Sequence, residues 1–493
     1  YTKLCTCNAL AFVTAEGSVP ETLIEKCVRA ALEALGSEIP HRADRSYPEI
    51  FDYLGWCSWD AMQIRVNEEG LLEKCSEFKE NNIPIKWILL DDMWAHIRDF
   101  YGREYSSFLE MVRIMHASAI YDFEADPVRF PSGLASCIKK IKELGFNVGV
   151  WYPATGYWRG IEKDSPAYEK LMPYLIETDD GILVPDYSKE KSYGYYDMIN
   201  TFLKECGADF IKIDNQSMYS RFYNRLTTIG EASRSFHDGM EEATNKSFDD
   251  AMINCMGMSS EDMWNRRYSS ICRCSDDFQP ENRAWFAKHI LQCAYNSLLQ
   301  GQFYWCDWDM WWTDDGQALK NSIARAISGG PIYVSDQTGR SQANILRPLA
   351  LDDGRILRCD CPATPTADCV CTNPTISKKP MKLKNISNGS GIMALFNLDC
   401  ENGRVSGYIC PNEITELEGE EFAVYSYFDK TIKILNRDER LDVTLDNNDD
   451  MKLYIIAPYK NGFAAIGRID KFISPATVKS VKGKKITLAE NGP

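Results

Sequence analysis

The stretch Ala208-Asp209-Phe210-Ile211-Lys212-Ile213-Asp214-Asn215-Gln216 decides how the chain is read. Phe210, Ile211 and Ile213 make a short apolar run, and Asp214 closes it. An ionised carboxylate at the carboxyl end of an apolar strand is costly to hold unless it is paired or used. Lys212 and Asp214 share one face of that strand, since alternate residues point the same way. A second acidic group follows in Arg273-Cys274-Ser275-Asp276-Asp277-Phe278, again after an apolar run. Two carboxylates at two strand ends are what sugar cleavage needs: one attacks the sugar carbon, the other protonates the leaving oxygen.

Outward from Asp214 the same pattern repeats. Apolar runs lie near Leu54–Trp56, Trp87–Leu90, Val148–Trp151, Phe210–Ile213, Met252–Cys255, Ser270–Cys272, Phe303–Trp305 and Ile332–Val334. Helical spacing separates most of them, as in Glu68–Lys79, Leu134–Leu144 and Tyr195–Cys206. Eight strands with helical crossovers predict an α/β fold, a (β/α)8 TIM barrel over residues 51–345. A doubly wound sheet is the alternative, but no Gly-rich phosphate loop follows the first strand. Polar and acidic residues fall just after the apolar runs, where barrel enzymes carry their chemistry. Gly329-Gly330-Pro331 reads as the loop entering the last strand.

Beyond residue 345 the period changes. Ile392–Phe396, Val405–Ile409, Phe422–Tyr427, Ile432–Leu435 and Leu453–Ile456 are short runs divided by Gly, Asn and Asp. They predict a C-terminal antiparallel β-sandwich over residues 346–493. Residues 1–50 read as a lead-in of one strand, Leu10–Val13, and one helix. Ser18 or Thr22 would cap that helix, Pro20 suits its first turn and Gly36 ends it.

The chain has 493 residues and a net charge of −16 with its acidic residues spread. That charge argues against nucleic acid or an anionic membrane as partner. No apolar run is long enough to span a bilayer. Eighteen cysteines, many inside apolar runs, read as buried thiols and point to a reducing, cytoplasmic setting. Cys359-Asp360-Cys361 with Cys369-Val370-Cys371 could hold zinc. The spacing fits a hairpin bearing buried thiols better, because Cys-x-Cys in a strand puts both thiols on one face. The five histidines show no metal spacing, and no metal or cofactor is expected.

The acidic sites each have a plainer reading. Asp91-Asp92 after Trp87–Leu90 could grip two sugar hydroxyls or cap a helix. Asp276-Asp277 could hold the acid or cap a helix from about Glu281. The acid must carry its proton before reaction, which burial or a neighbouring charge would arrange. Asp307 and Asp309, interleaved with Trp305, Trp308, Trp311 and Trp312, could form a sugar platform or a structural loop.

Seven motifs in order resemble the raffinose synthase and seed-imbibition-protein branch of glycoside hydrolase family 36. They are Leu54-Gly55-Trp56-Cys57-Ser58-Trp59-Asp60, Leu89-Leu90-Asp91-Asp92-Met93-Trp94, Thr155-Gly156-Tyr157-Trp158, Lys212-Ile213-Asp214-Asn215-Gln216, Arg273-Cys274-Ser275-Asp276-Asp277-Phe278, Asp307-Trp308-Asp309-Met310 and the run from Ala326 to Asp336. The resemblance implies a barrel with a C-terminal sandwich and retaining chemistry on α-linked galactose. It implies Asp214 as nucleophile and Asp277 as acid/base, with Asp276 the alternative. It further implies Asp91, Asp92, Lys212 and Arg273 on the galactosyl hydroxyls and Trp59 packed on the ring. Trp151 and Asp307 complete the candidate substrate-binding set. Members usually carry an N-terminal β-sandwich, of which residues 10–13 would be the last strand. Met93 and Arg159 stand where the family commonly has glycine, crowding the pocket and placing a charge near its mouth.

The expectation is an α-galactosidase that releases terminal α-galactose from oligosaccharides or glycoconjugates by double displacement, as a monomer or homo-oligomer. Retaining geometry would set the two carboxyl groups about 5–5.5 Å apart. The alternatives are a galactosyltransferase of the raffinose-synthase type, an enzyme specific for N-acetylgalactosamine through residues near Asn254–Met258, and a non-catalytic sugar binder.

Overall fold

In the computed structural model of the chain, residues 9–98 and 105–493 are described. Eight short parallel strands form one curled sheet: β1 (Gly55–Cys57), β2 (Trp87–Leu90), β3 (Asn147–Pro153), β4 (Phe210–Asp214), β5 (Met252–Asn254), β6 (Ile271–Arg273), β7 (Trp305–Asp307) and β8 (Tyr333–Val334). Neighbours follow chain order from β1 to β7, and β8 returns beside β1, with Gly55 opposite Tyr333. Every strand residue but Asn147 is buried, which is why the strands read as continuous apolar runs rather than alternating ones.

Side chains and loops close the seam between β7 and β8, where no strand ladder forms. Tyr333 Oη donates to Asp307 Oδ2 at 2.7 Å, and Ser335 N donates to Trp311 O at 3.0 Å. Gly330 lets the chain pass there: a Cβ on it would sit 2.1 Å from Cys306 O.

Helices clothe the sheet. They are α1 (Pro20–Ala34), α2 (Glu68–Glu80), α3 (Leu134–Glu143), α4 (Lys189–Glu205), α5 (Ile229–Phe248), α6 (Trp285–Gln300) and α7 (Ala318–Ser328). The β5–β6 crossover has only one helical turn, Ser260–Met263, held by a capping box between Ser259 and Asp262. The long β2–β3 connection carries a hairpin, Ala95–His96 with Asp122–Ala125, and the helix Phe108–His116.

The lead-in differs from expectation. Residues 10–13 form no strand; Leu10 and Phe12 are exposed, and among the described residues no partner strand lies beside them. α1 starts after Val19 with Pro20 in its first turn, and neither Ser18 nor Thr22 caps it. Gly36, at φ +56°, ends it as read.

The C-terminal part is antiparallel. Its strands are β9 (Thr364–Pro365), β10 (Met381–Ser387), β11 (Ser390–Phe396), β12 (Val405–Ile409), β13 (Glu421–Ser426), β14 (Thr431–Asn436), β15 (Leu441–Leu445) and β16 (Met451–Pro458), followed by a separate hairpin of Val478–Lys482 with Lys485–Leu488. Six of them make a sheet in the order β9-β10-β11-β16-β13-β14, and β12 pairs with β15. Period two divides the faces of β11. Met393 and Leu395 join Val405, Ile409 and Val443 in the sandwich core. Ile392, Ala394 and Phe396 join the barrel core.

The cysteine hairpin does not form. Cys359 and Cys361 lie in a loop, and Cys369 sits in the single turn Ala367–Val370. Among the described residues, no three His, Cys, Asp or Glu side chains gather in a way that could hold a metal ion. The sixteen described cysteines are all free thiols.

Candidate active site

A cavity of about 2460 Å3 opens where the carboxyl ends of the strands meet. Trp59, Asp91, Asp92, Trp151, Lys212, Asp214, Asp276 and Asp277 all line it, so eight of the ten candidate residues come together.

Asp214 ends β4 at the base of this group. Trp151 Nε1 donates to its Oδ2 at 3.1 Å, and Asn215 N to its Oδ1 at 2.6 Å. Asn215 takes a left-handed turn, φ +59°, and its amide reaches Thr155 Oγ1 at 3.2 Å. Behind it, Gln216 bonds Asn254 Oδ1 at 2.9 Å and accepts from Arg266 at 2.9 Å. Asp214 is thus held on rigid backbone. Burial pushes its pKa up, Lys212 opposes that, and Asp277 adds to it.

Lys212 reaches Asp91, with Nζ 2.8 Å from Asp91 Oδ2. Burial works against the lysine charge, but Asp91 together with the other groups around it holds the pKa well above the usual range. Cys57 Sγ also donates to Asp91 Oδ2, at 3.2 Å. Asp92 is held separately: Tyr157 Oη donates to Oδ1 at 2.9 Å and Trp158 Nε1 to Oδ2 at 3.1 Å. Burial nevertheless pushes the Asp92 carboxyl up to about 7. Neither aspartate caps a helix.

Across the cavity, Arg273 lies buried behind the wall rather than on it. Its Nη2 meets Asp277 Oδ1 at 3.0 Å and Ser275 O at 3.1 Å, while Nη1 meets Asp309 Oδ1 at 2.9 Å. Arg273 therefore grips Asp277, not Asp276. Burial disfavours ionised Asp309, yet Arg273 with His289, Lys212 and the Phe278 N–H together holds its carboxyl below the usual range. The Asp277 side chain is 56% exposed in the open cavity. Asp276 accepts from Asp277 N at 2.9 Å. The helix-cap reading fails here too, since α6 begins at Trp285 without a side-chain cap.

Two expectations need correction. Asp307 does not line the cavity; it is fully buried at the β7–β8 seam, accepting from Tyr333 and from Asp309 N. Burial raises its carboxyl to about 6. Arg159 does not reach the cavity either and lies 3.7 Å from Asp180. Met93 does line it, at φ +77° and with Sδ 3.1 Å from Tyr157 Oη. Cys255 and Met256, in the stretch read for the sugar C2, are on the wall, while Asn254 is buried behind it. The sequence reading gave no site role to Asp60, Tyr157 or Gln337, and offered Asp309 only as part of a sugar platform or a structural loop. Asp60 and Tyr157 stood inside quoted motifs, and that was their only signal.

The sequence matches the family described as raffinose synthase or seed imbibition protein Sip1 over residues 2–413. It is 27% identical over 542 residues to probable galactinol–sucrose galactosyltransferase 1 of Arabidopsis thaliana, an alignment covering 96% of this chain and 70% of that one. It is 30% identical over 408 residues to number 6 of the same organism, covering 77% of this chain and 53% of that one. The fold is similar to that of the α-galactosidase MEL1 from Saccharomyces cerevisiae, with a TM-score of 0.55, 15% identity, and coverage of 84% of this chain and 100% of that one. By this match along most of its length, the chain belongs to the raffinose synthase and seed imbibition protein Sip1 family.

Proposed function

We propose that the protein moves terminal α-galactosyl groups by a retaining double displacement, passing them to a hydroxyl acceptor. One observation carries this reading. A buried aspartate on rigid backbone, Asp214, shares a cavity with an arginine-gripped aspartate at the mouth, Asp277. The names of the relatives support galactosyl transfer, and the fold supports α-galactosidase chemistry.

In this mechanism the galactosyl ring sits over Trp151 with hydroxyls on Asp91, Asp92 and Lys212. Ionised carboxylates accept several hydrogen bonds, and the lysine donates to what they leave free. Asp277 gives its proton to the glycosidic oxygen while Asp214 attacks C1. The C1–oxygen bond breaks and an ester to Asp214 forms. Asp277 then accepts the proton of the incoming hydroxyl as that oxygen displaces Asp214 from C1. Water as acceptor gives hydrolysis, a second reading favoured by the exposure of Asp277 to solvent.

The test uses galactinol as donor with and without sucrose, followed by product analysis. A trisaccharide formed by the wild type, and lost by about 10^4-fold or more in Asp214→Asn, supports transfer through this nucleophile. Galactose alone, in the presence of sucrose, turns the reading to hydrolysis. Full activity in Asp214→Asn sinks the assignment.

A further inference from the structure

Apart from Trp59, the residues assigned so far occupy the arc of the rim from β2 to β6. The remaining arc, from β7 through β8 to β1, also faces the cavity, through Trp59, Asp60, Met310, Trp312 and Gln337. It carries polar groups that the protein leaves without partners. Ser335 Oγ donates to Asp60 Oδ2 at 2.9 Å, and among the described residues nothing bonds Oδ1. The Trp312 indole N–H is buried and has no acceptor among the described residues. The Gln337 side-chain amide, half-buried, has no protein partner among them either. A buried donor left unpaired costs about 1–3 kcal/mol, so the Trp312 N–H points to something that completes it, and Asp60 and Gln337 stand beside it with capacity to spare.

The backbone beneath these side chains is pinned. Arg325, itself buried, donates to the carbonyls of Asp309 at 3.0 Å and Met310 at 3.2 Å. Thr313 Oγ1 donates to Asp336 Oδ2 at 2.8 Å, which anchors the residue after Trp312. Lys74 Nζ donates to Gln337 O at 2.9 Å. These side chains are therefore presented by rigid loops, as a preorganised site requires. Asp60 is close enough to the catalytic carboxylates to feel them. Burial first, then Asp309 and Asp277, push its carboxyl well above the usual range. An aromatic wall with one N–H, one carboxyl and one amide suits the apolar face and hydroxyl edge of a polyhydroxylated ring.

We propose that Asp60, Trp312 and Gln337 form a second ring-binding site, which holds the acceptor, a saccharide or cyclitol, with its attacking hydroxyl towards Asp277. This rests on the galactosyl-transfer reading above. The acceptor oxygen bonds to C1 of the galactosyl group as the ester to Asp214 breaks, and its proton passes to Asp277. Trp59 gives the site an aromatic flank. The site takes no part in forming the galactosyl ester.

α-D-Galactosyl fluoride is the donor of choice for the test, because fluoride does not fill the acceptor site. Sucrose and myo-inositol serve as acceptor probes. The reading is the ratio of transfer product to free galactose, which compares the fates of one intermediate. Asp60→Asn and Trp312→Ala are expected to lower that ratio by about tenfold. Trp312→Phe, which keeps the aromatic volume and removes the N–H, guards against misfolding and is expected to lower it in the same direction. An unchanged ratio in Asp60→Asn and Trp312→Phe overturns the site. If the wild type releases no fluoride, the transfer reading fails by itself. Calorimetric binding of sucrose to wild type and variants then decides the site: weaker binding in the variants supports it, and equal or no binding overturns it.

Discussion

At the scale of single residues, Asp92 gives the cavity a proton of its own. Burial raises its carboxyl to about 7 although Tyr157 and Trp158 both donate to it. Below that pH it holds a proton and offers one acceptor fewer to a sugar hydroxyl; above it, both oxygens accept. The KM for a galactosyl donor should therefore rise as pH falls from 8 to 6. The same profile measured on Asp92→Asn should lose that rise, and an unaltered rise would assign it to another group. Asp277 yields a different signature. As general acid it matters most for poor leaving groups, so Asp277→Ala should slow galactinol turnover by about 10^2–10^4-fold. It should slow 4-nitrophenyl α-D-galactoside far less, and added azide should restore its second step. Equal losses on both donors would remove Asp277 from that role. These two aspartates and Asp214 were legible in the sequence because each follows a strand whose apolar run is unmistakable. Asp307 looked the same from outside, but it lies at the seam, where Tyr333 from the far end of the sheet claims it. That contact joins residues 26 apart in sequence and leaves no local trace. Asp60, though it closes a quoted motif, drew no role for a related reason: its partner Ser335 is 275 residues away.

At the scale of elements, the junction between α7 and β8 is tightly constrained. Gly329 takes φ +78°, and a Cβ on it would lie 1.9 Å from Cys361 O. An alanine there meets both an unfavourable backbone region and a backbone clash that no side-chain rotation relieves. Gly329→Ala is expected to cost on the order of 3 kcal/mol, seen as a lower urea midpoint with the same slope. A midpoint within error of the wild type would mean that the junction yields. The eight barrel strands were readable because burial on both faces leaves plain apolar runs. β10 was not, although Met381-Lys382-Leu383-Lys384 alternates. Lysines at alternate positions suggest a solvent face, yet Lys382 and Lys384 are buried. Lys382 lies 2.9 Å from Asp368 and also pairs with Glu413, while Lys384 pairs with Glu21 of α1. Long-range ion pairs overrode the local pattern, as buried charges require.

At the scale of the whole molecule, barrel and C-terminal sheet share one core. Phe396 of β11 is fully buried and packs on Phe286 of α6, with ring centroids 5.6 Å apart. Lys471 Nζ, far along the chain, donates to Arg347 O at 2.8 Å just beyond the barrel. Lys384 ties the same sheet to α1. Elements that share a core and ion pairs unfold together unless each is stable alone. The sequence offers a clean probe: all twelve tryptophans lie between Trp56 and Trp312, so indole fluorescence reports on the barrel and not on the sandwich. Phe396→Ala removes a buried aromatic from the sheet and should cost about 3–5 kcal/mol. If the two parts form one cooperative unit, the tryptophan transition moves down by the full amount and coincides with the far-ultraviolet transition. If the barrel is stable alone, the tryptophan transition stays in place while the far-ultraviolet signal splits. The shared cluster around Phe286, Ile392, Ala394 and Phe396 favours the first outcome. The same physics makes a barrel cut near residue 345 a poor vehicle for testing the active site, because it would expose the surface that those residues cover.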